Sequence, residues 1–296
     1  MVWDEYTFRG MTSYRRLAWT AAAIAWLLIV LGAVVRITGS GLGCGNHWPL
    51  CNGRLLPPLD LPTIIEYGHR LVAAVVTTLV VALAAYTWRL RRGLGIGDSP
   101  RPTRAPYVAL GLLAIQVTLG AITVKLDLPP WTIILHLGTA MLLFATLLYA
   151  ARRPFAPGTP GTPGLRPGLV WRLGLGNTVV PGLVLATVLM GALTANLGAA
   201  SACLGFPLCN GQIIPDGNHF QYIQWTHRLL AYSLLLSVIV WAVRSRSRGA
   251  RWVLGLVLLQ VCVAAAMVLG GLPAALRALH VAVGAAVWGA AVLAAL

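Results

Sequence analysis

Glu66-Tyr67-Gly68-His69-Arg70 and Gln224-Trp225-Thr226-His227-Arg228 are two versions of one stretch, and reading them together decides the fold. Each opens a long apolar segment, and each follows a Pro-Leu-Cys-Asn-Gly loop. Cys51 to Cys209, His69 to His227 and Arg70 to Arg228 are all separated by 158 positions. The chain therefore carries one unit twice, and each half serves as an internal control for the other.

The apolar segments point to a bilayer. Hydrophobic residues make up 58% of the 296 positions and charged residues only 10%, too few to cover the surface of a water-soluble domain. Eight stretches of about 20 residues can each span a hydrocarbon core of about 30 Å as a helix. They are expected near 17–37, 67–88, 105–124, 131–151, 169–195, 222–243, 252–270 and 274–296. The last two are parted only by Gly270, Gly271, Leu272 and Pro273. Each half then forms an up-down-up-down four-helix bundle, so the expected class is an all-α membrane protein of two pseudo-symmetric bundles. The N-terminal bundle covers 1–153 and the C-terminal bundle 169–296. A Pro-, Gly- and Thr-rich linker at 154–168 joins them.

A net charge of +15 raises the possibility of nucleic acid, but its placement excludes that reading. Sixteen of the 22 basic residues fall in four groups: 9–16, 89–104, 152–172 and 244–251. These groups alternate with loops at 38–65, 125–130 and 196–221 that carry only Arg54 and Lys125. The positive-inside rule then places both termini in the cytoplasm and the long loops outside, in a prokaryotic-type plasma membrane. No cleavable signal is expected, because the apolar run after Arg15 and Arg16 is too long for one.

Four of the five cysteines pair off in the outer loops, Cys44 with Cys51 and Cys203 with Cys209. Outside the cytoplasm a disulfide persists, and two intra-loop disulfides are the expected state. Neither loop has the compact Cys-x-x-Cys spacing of a zinc site. Metal-binding, redox-active or idle thiols remain the alternatives. Cys262, in mid-span, is expected to be a small packing residue. The tryptophans Trp48, Trp131 and Trp225 on one side and Trp88, Trp171, Trp241 and Trp252 on the other read as interfacial belts.

His47 and His219 lie in polar loops and read as solvated. His69, His136, His227 and His280 lie inside spans, where ionisable side chains are rare and usually functional. Within each half the two histidines sit near the outer ends of helices running in the same direction, so they can face each other at one depth. Two neutral imidazoles with no carboxylate or thiolate beside them suit axial ligation of a haem iron better than tetrahedral zinc. Small residues beside them, among them Gly68, Gly138 and Gly284, leave room for a flat macrocycle, although membrane helices pack through small residues in any case. Arg70, Arg228 and Arg277 are placed either to pair with haem propionates or to snorkel to headgroups.

The chain resembles the heme A synthase family of membrane enzymes over essentially its whole length. The residues that carry the resemblance are Arg36-Ile-Thr-Gly-Ser-Gly-Leu leading to Cys44, Trp48-Pro-Leu-Cys51, Glu66-x-x-His69-Arg70, His136, Thr226-His227-Arg228 and His280. The resemblance implies an oxidoreductase that converts a ring methyl of heme O to the formyl group of heme A for terminal oxidase biogenesis. It makes His227 and His280 the ligands of a resident haem b, and His69 and His136 the ligands of the substrate haem. Glu66, on the same helical face as His69 and one turn nearer the end, is then the expected general base or proton acceptor. Gln224 at the matching position cannot take a proton. The implied partners are heme O itself, membrane lipid, heme O synthase, terminal oxidase assembly factors and an electron donor, with a homo-oligomer also open. A di-haem b cytochrome that only relays electrons from quinol is the competing reading. Gly68 stands where the family often has a bulkier residue.

Overall fold

A computed structural model describes the chain at residues 5–93, 102–155 and 174–296. The expected linker from 156 onward, the start of the fifth span, and Arg101, Arg166, Trp171 and Arg172 lie outside the described residues. Among the described residues there are eight helices long and apolar enough to cross a membrane, and no strands. They are α1 (Glu5–Ile37), α2 (Leu61–Gly93), α3 (Ala105–Lys125), α4 (Pro130–Arg152), α5 (Val180–Asn196), α6 (His219–Ser245), α7 (Arg248–Leu269) and α8 (Ala274–Ala295). One π-helical turn, Leu175–Val179, leads into α5. Several helices overrun the apolar windows, α1 and α2 by the most, because helical hydrogen bonding continues past the end of the hydrocarbon into polar sequence.

The duplication reaches the helix ends. Asp60 caps α2 by accepting from Thr63 N at 3.1 Å, and these hydrogen bonds hold its carboxyl below the usual range. Asn218, 158 positions on, caps α6 by accepting from the backbone of Phe220 and Gln221. The short turns Leu126-Asp127-Leu128-Pro129 and Gly270-Gly271-Leu272-Pro273 also correspond. Asp127 (φ 57°) and Gly271 (φ 75°) take the same left-handed conformation, which glycine adopts without the Cβ penalty. In both turns a proline is the extended residue from which the next helix starts.

Each half is a ring in chain order. In the first, α1 packs on α2 and α4 while α3 fills the far side; α5 to α8 repeat the plan. The rings meet along a seam of α1 and α4 against α5 and α8. Because lipid competes equally for apolar surface, close approach of backbones and hydrogen bonds must hold such a seam. Trp288 on α8, 6% exposed, donates Nε1 to the Met141 carbonyl of α4 at 2.9 Å, and Trp26 on α1 donates to the Ala282 carbonyl at 3.2 Å. Gly289 lies where a Cβ would come within 3.0 Å of the Phe144 ring. Trp241 packs over Gly176, and so belongs to the interior more than to a belt. Cys262 is exposed, contrary to the packing role expected for it, because it falls one position off the buried line of Val253, Val257 and Val263.

The packing is uneven along the bundle axis. The core, built around Tyr14, Ala18, Val80, Leu83, Leu147 and Val238, occupies the end that carries the termini. At the disulfide end of the first half, no apolar side chain is fully buried in 30–37, 61–75, 114–125 or 130–140. In the second half the same holds for 185–196, 219–233 and 274–282, and only α7 buries Val263 and Val268 there. Fully buried apolar side chains thus gather at one end of each bundle and are sparse at the other.

Replacing Trp288 with alanine opens a cavity at the seam and removes its hydrogen bond to the Met141 carbonyl. Unfolding in detergent micelles followed by circular dichroism should show a loss of about 3 kcal/mol. Gly255→Ala, on an exposed helix face with nothing within 4 Å of the new Cβ, should leave stability unchanged or slightly raised.

Candidate functional site

Both expected disulfides are present, Cys44–Cys51 and Cys203–Cys209. Each closes a loop over the open end of its bundle, and the repeated stretch is what fastens that loop. Glu66, 4% exposed, accepts from Cys44 N at 2.8 Å through Oε2. Gln224, 5% exposed, accepts from Cys203 N at 3.0 Å. Tyr67 donates its hydroxyl to the Leu55 carbonyl at 2.8 Å, and Trp225 donates Nε1 to the Ile213 carbonyl at 2.7 Å. Arg70 donates Nη1 to the carbonyls of His47, Pro49 and Leu50, and Arg228 donates to those of Gly205, Pro207 and Leu208.

Arg70 and Arg228 therefore do something neither sequence alternative described: they hold loop backbone. Trp225, read from the sequence as a belt residue, is a loop clamp together with Tyr67. Reading alone missed the clamp because a carbonyl partner leaves no mark in the sequence. The shared 158-residue spacing of Tyr67 with Trp225 and of Leu55 with Ile213 was the available signal.

The two clamps differ in charge. Arg70 Nη2 forms a 2.7 Å ion pair with Glu66 Oε1, whereas Arg228 Nη2 donates to the Cys203 carbonyl at 2.7 Å. The backbone contact to the cysteine needs no charge, since Gln224 makes it with an amide oxygen. The carboxylate of Glu66 is surplus to that task. It neutralises Arg70, while Arg228 keeps its charge among carbonyl dipoles.

Below the loops lie the four histidines, all half-buried. His69 on α2 and His136 on α4 stand on diagonal helices of one ring, within electrostatic reach of each other. His227 on α6 and His280 on α8 stand likewise in the other. Glycines make the space around them. A Cβ at Gly32 would lie 3.3 Å from the His69 ring, at Gly120 3.2 Å from His136, and at Gly191 2.9 Å from His227. His227 Nδ1 lies 3.1 Å from the Thr187 carbonyl, which leaves Nε2 as its free donor atom. Two side chains the sequence reading passed over also converge here. Gln116 of α3 lies 3.0 Å from His136 Nε2, and Gln260 of α7 lies 3.1 Å from His280 Nδ1. Both pairs are 20 residues apart and lie 144 positions from each other, the interval already visible between His136 and His280.

This arrangement fits haem. Among the described residues no three His, Cys, Asp or Glu side chains gather as a tetrahedral metal site requires, and the donor set in each half is two imidazoles. The glycines beside the rings keep Cβ atoms away from them, which suits a planar group bound at the imidazoles. Arg277 lies one turn before His280 on the same face, and it is close enough to Arg36 of the first half for their charges to interact. His47 and His219 are exposed, as expected.

Arg228→Ala should remove four hydrogen bonds to loop carbonyls and weaken the second clamp by on the order of 3 kcal/mol. Hydrogen exchange followed by mass spectrometry should show faster exchange at 202–212, with no change in the packed end of α6.

The sequence profile of the cytochrome oxidase assembly protein family matches residues 15–63 and 59–292. A heme A synthase of Symbiobacterium thermophilum is 33% identical, over 94% of this chain and 93% of its own length. Heme A synthases of Shouchella clausii (33% identical, 82% of this chain and 78% of theirs) and Bacillus licheniformis (31%, 80% and 79%) are similar. The match runs through both clamps and all four histidines, and the chain belongs to the heme A synthase family of cytochrome oxidase assembly proteins.

Proposed function

We propose that this protein oxidises the ring methyl of heme O to the formyl group of heme A, with the chemistry in the first half and electron transfer in the second. His69 and His136 hold the substrate haem. His227 and His280 hold a resident haem b, which when bound supplies one-electron transfer. The observation that carries the division is the single change of charge, Glu66 against Gln224, on two otherwise matching scaffolds.

Glu66 is fixed by its hydrogen bond from Cys44 N and its ion pair with Arg70, one turn from His69. A carboxylate held there, at the rim of the open interior, accepts a proton released from a methyl or hydroxymethyl group beside it. Oxidation that leaves positive charge is favoured by the same carboxylate. Gln224 offers neither effect. The loops above both sites are closed by their disulfides and fastened by the clamps. Arg277, whose side chain the loop clamps do not use, is the candidate to pair with a propionate of haem b, with Arg70 and Arg228 lending charge nearby.

Basic residues gathered at the terminal end support an orientation with both termini cytoplasmic and the disulfide loops outside. The functional units are then 1–153 and 169–296, joined through 154–168. Heme O and heme A are too apolar to cross water freely, so direct hand-over from heme O synthase and to terminal oxidase assembly factors fits this chemistry. The electron donor is a separate partner. A purely electron-relaying di-haem cytochrome is the second reading, and a symmetric relay gives no reason for one protonatable clamp.

Extraction of pigments from protein co-expressed with a heme O source tests the proposal. Glu66→Gln should keep haem b and an intact loop, as Gln224 does, yet stop at heme O or a partly oxidised product; unchanged heme A would remove the catalytic role. His227→Ala and His280→Ala should deplete haem b, whereas His69→Ala should chiefly impair handling of the substrate haem. Equal pigment loss in all three would refute the division between halves.

A further inference from the structure

Gln116 and Gln260 occupy matching places beside His136 and His280, but what holds each amide differs. Thr139, one turn along α4 from His136, donates its hydroxyl to Gln116 Oε1, and the same oxygen of Thr139 lies 2.9 Å from the Leu135 carbonyl and 3.1 Å from that of His136. The position 144 residues on is Val283, which has no hydroxyl. Accordingly, Gln260 Oε1 is buried with no hydrogen-bond partner.

The consequence falls on the imidazoles. With its oxygen engaged by Thr139, Gln116 presents only N–H to His136 Nε2, 3.0 Å away. A donor at that nitrogen occupies the lone pair an iron needs. The ring proton then sits on Nδ1, which is buried without an acceptor. An imidazole whose second N–H is hydrogen-bonded is the more basic ligand; one without an acceptor is weaker. In the second half, Gln260 Nε2 lies 3.1 and 3.2 Å from the two ring nitrogens of His280 and 3.0 Å from its carbonyl. Its uncommitted oxygen is free to turn and accept from the ring. His227 already has the Thr187 carbonyl as acceptor.

We propose that the Thr139–Gln116 pair weakens the axial bond from His136 so that the haem of the first half exchanges, whereas Val283 leaves Gln260 able to reinforce His280 and retain the haem of the second half. This rests on the two-site reading above and explains how one duplicated scaffold holds a substrate that must leave and a cofactor that must stay. Thr139 and Gln116 are positioning residues for substrate exchange.

The test is haem loss from the loaded full-length protein to excess apomyoglobin, followed optically, with redox titration alongside. In wild type the first-half haem should transfer faster than the second. Thr139→Val, nearly isosteric, should slow first-half transfer by about tenfold and lower that haem's midpoint potential. Gln116→Leu should move both in the same direction, and Val283→Thr should speed loss from the second half. A residue with a merely structural role would loosen haem when removed. Faster first-half loss in Gln116→Leu, which the opposite amide orientation predicts, overturns the inference, as do unchanged rates in both Thr139→Val and Gln116→Leu. Those outcomes leave the two-site reading standing. A protein that takes up a single haem indifferent to His136→Ala removes that reading and the inference with it.

Discussion

At the disulfide end, where fully buried apolar side chains are sparse, each bundle is fastened by something other than its core. Here the closing interaction is the clamp between the start of α2 or α6 and the disulfide loop above it. A buried Glu66 or Gln224 holds a cysteine N–H, and an arginine one turn deeper gathers three loop carbonyls. Backbone groups that would otherwise be stranded near hydrocarbon are satisfied by this single helix turn. The solid end of the bundle, meanwhile, supplies the packing that keeps eight helices in register, with α4 and α8 locked through Trp288.

The histidines lie just below the clamp, so the same turn that fastens the loop also sets the height of the site. His69 follows Glu66 by three residues and directly precedes Arg70, so the imidazole shares its helix turn with both clamp residues. A site built this way is stiff where it meets the loop and open where the ring points. That combination suits a large planar ligand held at two points along one axis.

Two of the differences between the halves fall on this common frame close to the histidines. A carboxylate replaces an amide at the clamp, and a hydroxyl replaces a methyl beside the glutamine that faces the fourth-helix histidine. Both differences leave in place the clamp contact to the first cysteine of each loop and the glutamine–histidine pairing. On the proposed reading, such local changes on a duplicated frame are what give the two halves different tasks.

Much of this was legible in the sequence. Apolar runs of bilayer length, the 158-residue repeat and the alternation of arginines determine eight helices in two bundles, because length and polarity alone govern what can span hydrocarbon. Cysteine pairs in loops of six and seven residues' separation made the disulfides foreseeable. Four histidines at equivalent depth were visible because ionisable groups in spans are few. What the sequence left open was decided by tertiary structure. The partners of Arg70 and Arg228 are main-chain carbonyls, whose direction depends on the path of the loop. Gln116 and Gln260 read as ordinary polar residues of a span until the ring of helices sets them against His136 and His280. Periodicity places a side chain on a helix; only packing of one helix against the next decides which atom it meets.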